Sequence, residues 1–189
     1  MQPTAEGRPP PDALTPPARS APRPIGSALL SLDEGTIRAS FVNTTRKEVS
    51  DLTLPPSFPS LDWDRLDLLG WRDPKLAKRA YVVVPTAAGV VGVLLRQAEA
   101  SPRARAQCSW CQDVRLPNDV VLFAAKRAGA AGRKGDTVGV LVCESFQCSH
   151  NVRRTPPVAY LGFDVEAARQ ERIRTLQDRA AGFAAAVLA

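Results

Sequence analysis

The chain has 189 residues, of which 44% are hydrophobic and 23% charged, and 25 basic groups against 19 acidic ones give a formal charge of +6. That length suits one ordinary domain or two small ones. With no run of about eighteen apolar residues a membrane-spanning helix is excluded, and a Pro-, Ala- and Arg-filled N-terminus without a signal-peptide core predicts a cytoplasmic, reducing location.

Residues 1–28 hold eight prolines and little bulk. They cannot bury enough apolar surface to offset chain entropy, so they are predicted to be a disordered tail. Residues 29–100 read as an N-terminal α+β region. Between Leu32 and Leu54, Ile37, Phe41 and Val42 recur at helical spacing, and Thr45-x-x-Glu48 forms a capping-box pattern. Two short helices are expected there, stopped by Pro55 and Pro56. A third is expected from Asp62 to Leu69, closed by Gly70. Tyr81-Val-Val-Val and Val90-Val-Gly-Val-Leu-Leu, β-branched and separated by a turn, predict a hairpin. Gln97 to Gln107 reads as a charged linker.

Residues 101–155 contain all four cysteines as two pairs, Cys108-x2-Cys111 and Cys143-x4-Cys148, with thirty-one residues between the pairs. Val120 to Ala125 and Thr137 to Val142 read as strands, joined by a Gly-rich basic turn from Gly129 to Gly135. A close pair, a hairpin and a second pair is the wiring of a small metal module, because four thiolates suit Zn2+ in a closed structural site. A disulfide is the alternative, disfavoured in a reducing compartment. Residues five apart on a helix point about 140° away from each other. Cys143 is therefore placed at a strand end and Cys148 in the first turn of a short helix or loop running through Asn151. His150, the one histidine, is the alternative fourth ligand.

Residues 156–189 form a C-terminal helix from about Val165, with Asp164 as N-cap and Glu166 favouring the dipole. Ile173, Leu176, Ala180, Phe183 and Val187 make one apolar stripe. It is read as a face docked onto the N-terminal segment, with a dimerising or partner-binding face as the alternative. The fold class is thus α+β: a helical and β-hairpin N-terminal part, a four-cysteine zinc module and an amphipathic helix.

Residues 101–154 carry nine basic groups (Arg103, Arg105, Arg115, Lys126, Arg127, Arg133, Lys134, Arg153 and Arg154) against four acidic ones. Nearly all the net charge belongs to the cysteine module, which predicts an acidic partner, either RNA or an acidic protein surface. Catalysis is not expected. Four cysteines leave zinc no open position. His150-Asn-Val lacks the glutamate of the deaminase motif, and the Gly129–Gly135 string, set in a hairpin turn, is a weak phosphate signal.

Ile37-Arg-Ala-Ser-Phe-Val-Asn, Leu68-Leu-Gly-Trp-Arg-Asp-Pro74, Cys108-Ser-Trp-Cys111, Lys126-Arg-Ala-Gly129, Gly135-Asp-Thr-Val-Gly139 and Cys143-Glu-Ser-Phe-Gln-Cys148 together resemble the bacterial FBP-type proteins. Their C-terminal part is a treble-clef zinc finger, and their best-known members are the FusB-type elongation-factor-G-binding, fusidic-acid-resistance proteins. The resemblance covers about residues 32–155. It implies a structural Zn2+ on Cys108, Cys111, Cys143 and Cys148. It also implies a finger surface that binds an elongation-factor-G-like GTPase on or off the ribosome and promotes its release. A monomer that acts by binding, with no enzymatic activity, is expected. The alternative is an RNA-binding zinc module using the same basic face. Residues expected to meet the partner are Lys126, Arg127, Arg133 and Lys134, with Trp110 and Phe146 either as exposed contact aromatics or as aromatics packed around the metal.

Overall fold

A computed structural model describes residues 29–99, 106–113, 119–156 and 160–189. The expected disordered tail, most of the linker before Cys108, and Arg103, Arg105 and Arg115 lie outside the described residues. Within them, β1 (Leu69–Arg72), β2 (Arg79–Thr86), β3 (Gly89–Gln97), β4 (Val120–Lys126) and β5 (Thr137–Cys143) form one antiparallel sheet in sequential order. The helices are α1 (Glu34–Ala39), α2 (Arg46–Ser50), α3 (Gly129–Arg133), α4 (Cys148–Arg153) and α5 (Val165–Leu188). This is the α+β architecture expected.

The predicted hairpin is β2–β3, closed at Thr86↔Gly89. Its unbroken apolar run is explained by burial on both faces. Ala80, Val82, Val84, Val91, Val93 and Leu95 face a core shared with α5 and the cysteines. Tyr81, Val83 and Leu94 face a second core with Leu29, Ile37, Leu52, Leu69 and Trp71. The strands alternate side chains between the two cores, so neither face is left to water.

β4 meets β3 only at Arg96↔Ala124 and Gln97↔Phe123. Earlier along β3, its free edge is taken by the segment after α1. Val42 N–H donates to Gly92 O at 3.0 Å, and Gly92 N–H donates to Ser40 O at 2.9 Å. Asn43 closes the step between the two partners: its Nδ2 donates to Leu94 O and Lys126 O, both at 3.0 Å, and its Oδ1 accepts from Leu94 N–H at 2.8 Å. The sheet therefore runs without a break from the N-terminal region into the cysteine module.

Several expectations are corrected. α1 ends at Ala39, so Phe41 and Val42 are not helical, and Phe41 instead bridges to Gly92. The edge of β3 offers unpaired backbone groups, and satisfying them outweighs one further helical turn. α2 forms with the predicted capping box but stops at Ser50, before the prolines. The helix expected over Asp62 to Leu69 is only a 3-10 turn, Trp63–Arg65, and Leu69 and Gly70 belong to β1. Leu68 and Leu69 fill opposite cores, which demands the period of a strand. The Gly129–Gly135 stretch is the short helix α3 rather than a plain turn. Gly135, with φ of 100°, ends it, as Gly135 N–H donates to Gly132 O and Asp136 N–H to Ala131 O, each at 3.1 Å.

α5 begins as read, with Asp164 accepting from Ala167 N–H at 2.8 Å. All five stripe residues are buried. The stripe docks within the chain, on β2–β3 and α4, on the sheet face opposite α1 and not against the N-terminal helices. No helix among the described residues is long and apolar enough to cross a membrane.

Candidate metal centre

β5 delivers Cys143 at its last position, and α4 presents Cys148 as its first residue, as the x4 spacing requires. Between them Phe146 takes φ of 58°, a left-handed conformation that reverses the chain within one residue. The first pair sits in a tight turn. Gln112 N–H donates to Cys108 O at 2.9 Å, and Cys111 N–H points at Cys108 Sγ at 3.5 Å. Gln112 is likewise left-handed, with φ of 57°. Ser109 N–H donates to Leu141 O at 2.7 Å, fixing the turn against β5.

The four Sγ atoms lie within 4.8 Å of one another and all four residues are buried and free of disulfides. Cys108 and Cys148 approach to 3.7 Å, and Cys111 and Cys143 to 3.6 Å. A tetrahedron with metal–sulfur bonds of about 2.3 Å has edges of about 3.8 Å, so the sulfurs are spaced for one four-coordinate cation. Among the described residues this is the one cluster of three or more His, Cys, Asp or Glu groups placed to hold a metal. His150 is exposed on α4 and not part of it.

The cluster's electrostatics also ask for a cation. Hydrogen bonds from Cys111, and then from Cys143 and Cys148, hold the Cys108 thiol far below its ordinary range. The same contacts, with Cys108 first, and burial push Cys148 well above it. One thiolate is favoured by its neighbours and the next is opposed by it, and a divalent ion relieves that opposition.

A polar shell surrounds the sulfurs. Asn151 Nδ2 points at Cys143 Sγ and Cys111 Sγ. Arg172 on α5 donates to Asn151 O and Arg154 O, both at 2.9 Å, and so holds the end of α4. Asp67, just before β1, is buried against Arg153, accepts from Gln177 Nε2 at 2.9 Å, and donates its N–H to Ser149 Oγ at 3.0 Å. Asn151 and Asp67 escaped the sequence reading. Asn151, three residues after Cys148 on a helix, carried a usable spacing signal, whereas Asp67 carried none.

The residues expected to meet a partner divide. Trp110 is 1% exposed and stacks edge-on against Phe183 of α5, with ring centroids 5.7 Å apart. Phe146, 6% exposed, packs on Phe123 at 5.3 Å. Both are core side chains in the cluster that holds the cysteines, which corrects their reading as exposed contact aromatics and agrees with the alternative of packing around the metal. Arg127 donates from Nη1 to Ala186 O at 2.7 Å, at the C-terminal end of α5. Arg153 and Arg154 pair with Asp67 and Asp113. Lys126, Arg133 and Lys134 stay exposed.

The model of one family, described as the FBP C-terminal treble-clef zinc-finger, matches residues 36–187, from α1 nearly to the end of α5. No curated protein matches the chain. A solved structure, that of the fusidic acid resistance protein FusC, is similar over 56% of this chain at 23% identity with a TM-score of 0.43. The similarity spans about half of that protein, 47% of its length.

Proposed function

Since the chain belongs to the FBP C-terminal treble-clef zinc-finger family, we propose that it is a non-enzymatic, cytoplasmic zinc protein that binds an elongation-factor-G-like GTPase on the ribosome and promotes its release. The family match over residues 36–187 carries this reading. The spacing of Cys108, Cys111, Cys143 and Cys148 supports Zn2+ as their ion, because an all-thiolate tetrahedral set is a structural zinc site.

Bound there, zinc would neutralise the thiolates and contribute folding energy. The chain's own residues do the rest. Asn151 directs its amide at sulfurs from both pairs, and Trp110 and Phe146 keep water away. Four buried ligands leave no open coordination position, which supports binding without catalysis. The hairpin made by β4 and β5 runs into the cysteine cluster at Cys143 and displays Lys126, Arg133 and Lys134 near its tip. A monomer fits this picture, since the stripe on α5 is consumed within the chain.

The test is a pull-down of purified elongation factor G by the full chain without RNA, alongside metal analysis of the bait. Capture of the factor by a bait carrying one zinc is the expected result. No capture at low salt, with tight binding of RNA instead, would sink the reading and favour the RNA-binding alternative. Phosphate binding declares itself by a log–log salt slope of about one unit per contact.

A further inference from the structure

The step where β3 hands over from the α1–α2 segment to β4 opens into a cleft of about 560 Å³, within the size range of pockets that hold ligands. Its far wall is α3. Four cationic side chains line it, Arg96, Lys126, Arg127 and Arg133, against a single carboxylate, Glu48. Arg96 pairs with Glu48 at 3.1 Å but keeps 53% of its side-chain surface exposed. Arg127 is tied to Ala186 O, while Lys126 and Arg133 are exposed. The hydroxyl of Thr44, in the same lining, is buried with no hydrogen-bond partner.

We propose that this cleft is a carboxylate-binding pocket that receives a cluster of acidic side chains from the protein partner, an inference that rests on the partner-binding function above. Concave walls concentrate the positive field of like charges and raise the local concentration of an acidic ligand. Arginine forks match carboxylates two bonds at a time, and the Thr44 hydroxyl offers a further donor. The lining contains no aromatic side chain. Binding of single-stranded RNA adds stacking of bases on aromatics to its phosphate contacts, so a cationic cleft without aromatics favours an acidic protein segment over RNA.

The probes are a hexaglutamate peptide, a hexauridylate and inorganic phosphate, each titrated into 15N-labelled full-length protein. Hexaglutamate is expected to shift the backbone amides of Thr44, Thr45, Lys126 and Arg133. The variants Lys126→Glu and Arg133→Glu are each expected to weaken factor binding about tenfold. Lys75→Glu, a reversal at an exposed cation between β1 and β2, changes it less than about twofold. Stronger shifts from hexauridylate at the same amides, shifts from phosphate alone, or an equal loss for Lys75→Glu would each overturn the proposal. If the factor binds but ignores the cleft variants, the pocket fails and the factor-binding reading stands. If hexaglutamate maps to the cleft and the factor does not bind, the pocket stands and that reading fails.

Discussion

The side-chain amide of Asn151 lies 3.6 Å from Cys143 Sγ, and the same Nδ2 lies 3.7 Å from Cys111 Sγ. One donor thus serves a sulfur from each cysteine pair, and α4 carries both it and a ligand. Donors of this kind stabilise thiolate over thiol and orient the ligands, so their loss lowers metal affinity about 10–100-fold. Asn151→Ala is expected to fall in that range in a competition titration with a chelator. Asn151→Asp is expected to lose more, because a carboxylate would face the thiolates. Equal affinity of Asn151→Asp and the parent protein would remove the role assigned here.

Asp67 and Arg153 form a second, separable support. The Asp67 side chain is fully buried and that of Arg153 is 18% exposed. Removing one partner leaves a buried charge, so Arg153→Met is expected to cost about 3–5 kcal/mol in urea denaturation of the metal-loaded protein. Asp67→Leu combined with Arg153→Met should cost less than Arg153→Met alone, since no orphaned charge remains. Simply additive losses would contradict a coupled pair.

Gly70 explains part of the Leu68-Leu-Gly-Trp-Arg-Asp-Pro74 stretch. A Cβ on Gly70 would stand 2.6 Å from Phe146 Cβ and Cγ, so the strand and the loop between the second cysteine pair meet in direct contact. Gly70→Ala is expected to cost about 1–3 kcal/mol, as overpacking does. In a Phe146→Gly background the same change should cost far less. A thermal-melt cycle reads the coupling, and an undiminished cost in that background would refute the contact as its cause.

Tyr81 predicts an alkaline limb. Burial first, and then its hydroxyl's bond to Asp73 Oδ2 at 2.7 Å, push its pKa up to about 12. The fold favours the neutral phenol, so this stabilisation is complete below an ordinary tyrosine pKa of about 10 and is lost as pH rises through the folded value. Stability should drop by about 2–3 kcal/mol across that window, and Tyr81→Phe should flatten the drop. Burial pushes Asp73 up too, but donors from Tyr81, Lys75 and Leu76 outweigh it and lower its pKa. Its contribution is therefore present above the unfolded carboxylate range and fades as pH falls. Denaturation midpoints across pH, with tyrosine absorbance, check both limbs.

Much of this was legible in the residues because it is local. The capping box at Thr45 and Glu48, the β2–β3 hairpin, the strand end at Cys143, the helix start at Cys148 and the Asp164 N-cap each depend on a few neighbouring side chains. Errors arose where a distant edge or core had the deciding vote. Phe41 left its helical spacing because β3 had an unpaired edge, and Leu69 left its helix because two cores needed alternate side chains. For Trp110 and Phe146 the residues alone left exposed contact and packing around the metal both open, and packing against Phe183 and Phe123 turns them inward.

The sequence by itself determined that four cysteines in this spacing converge on one cluster suited to a metal, because ligand type and short-range geometry are written into the chain. It also fixed where the excess positive charge is encoded. Tertiary structure decided how that charge is deployed. Long-range contacts commit Arg127 to the end of α5 and Arg153 to Asp67, and leave Lys126 and Arg133 beside Arg96 in one cleft. A pairing between residues far apart in sequence depends on the closure of the whole sheet, and no local pattern records it.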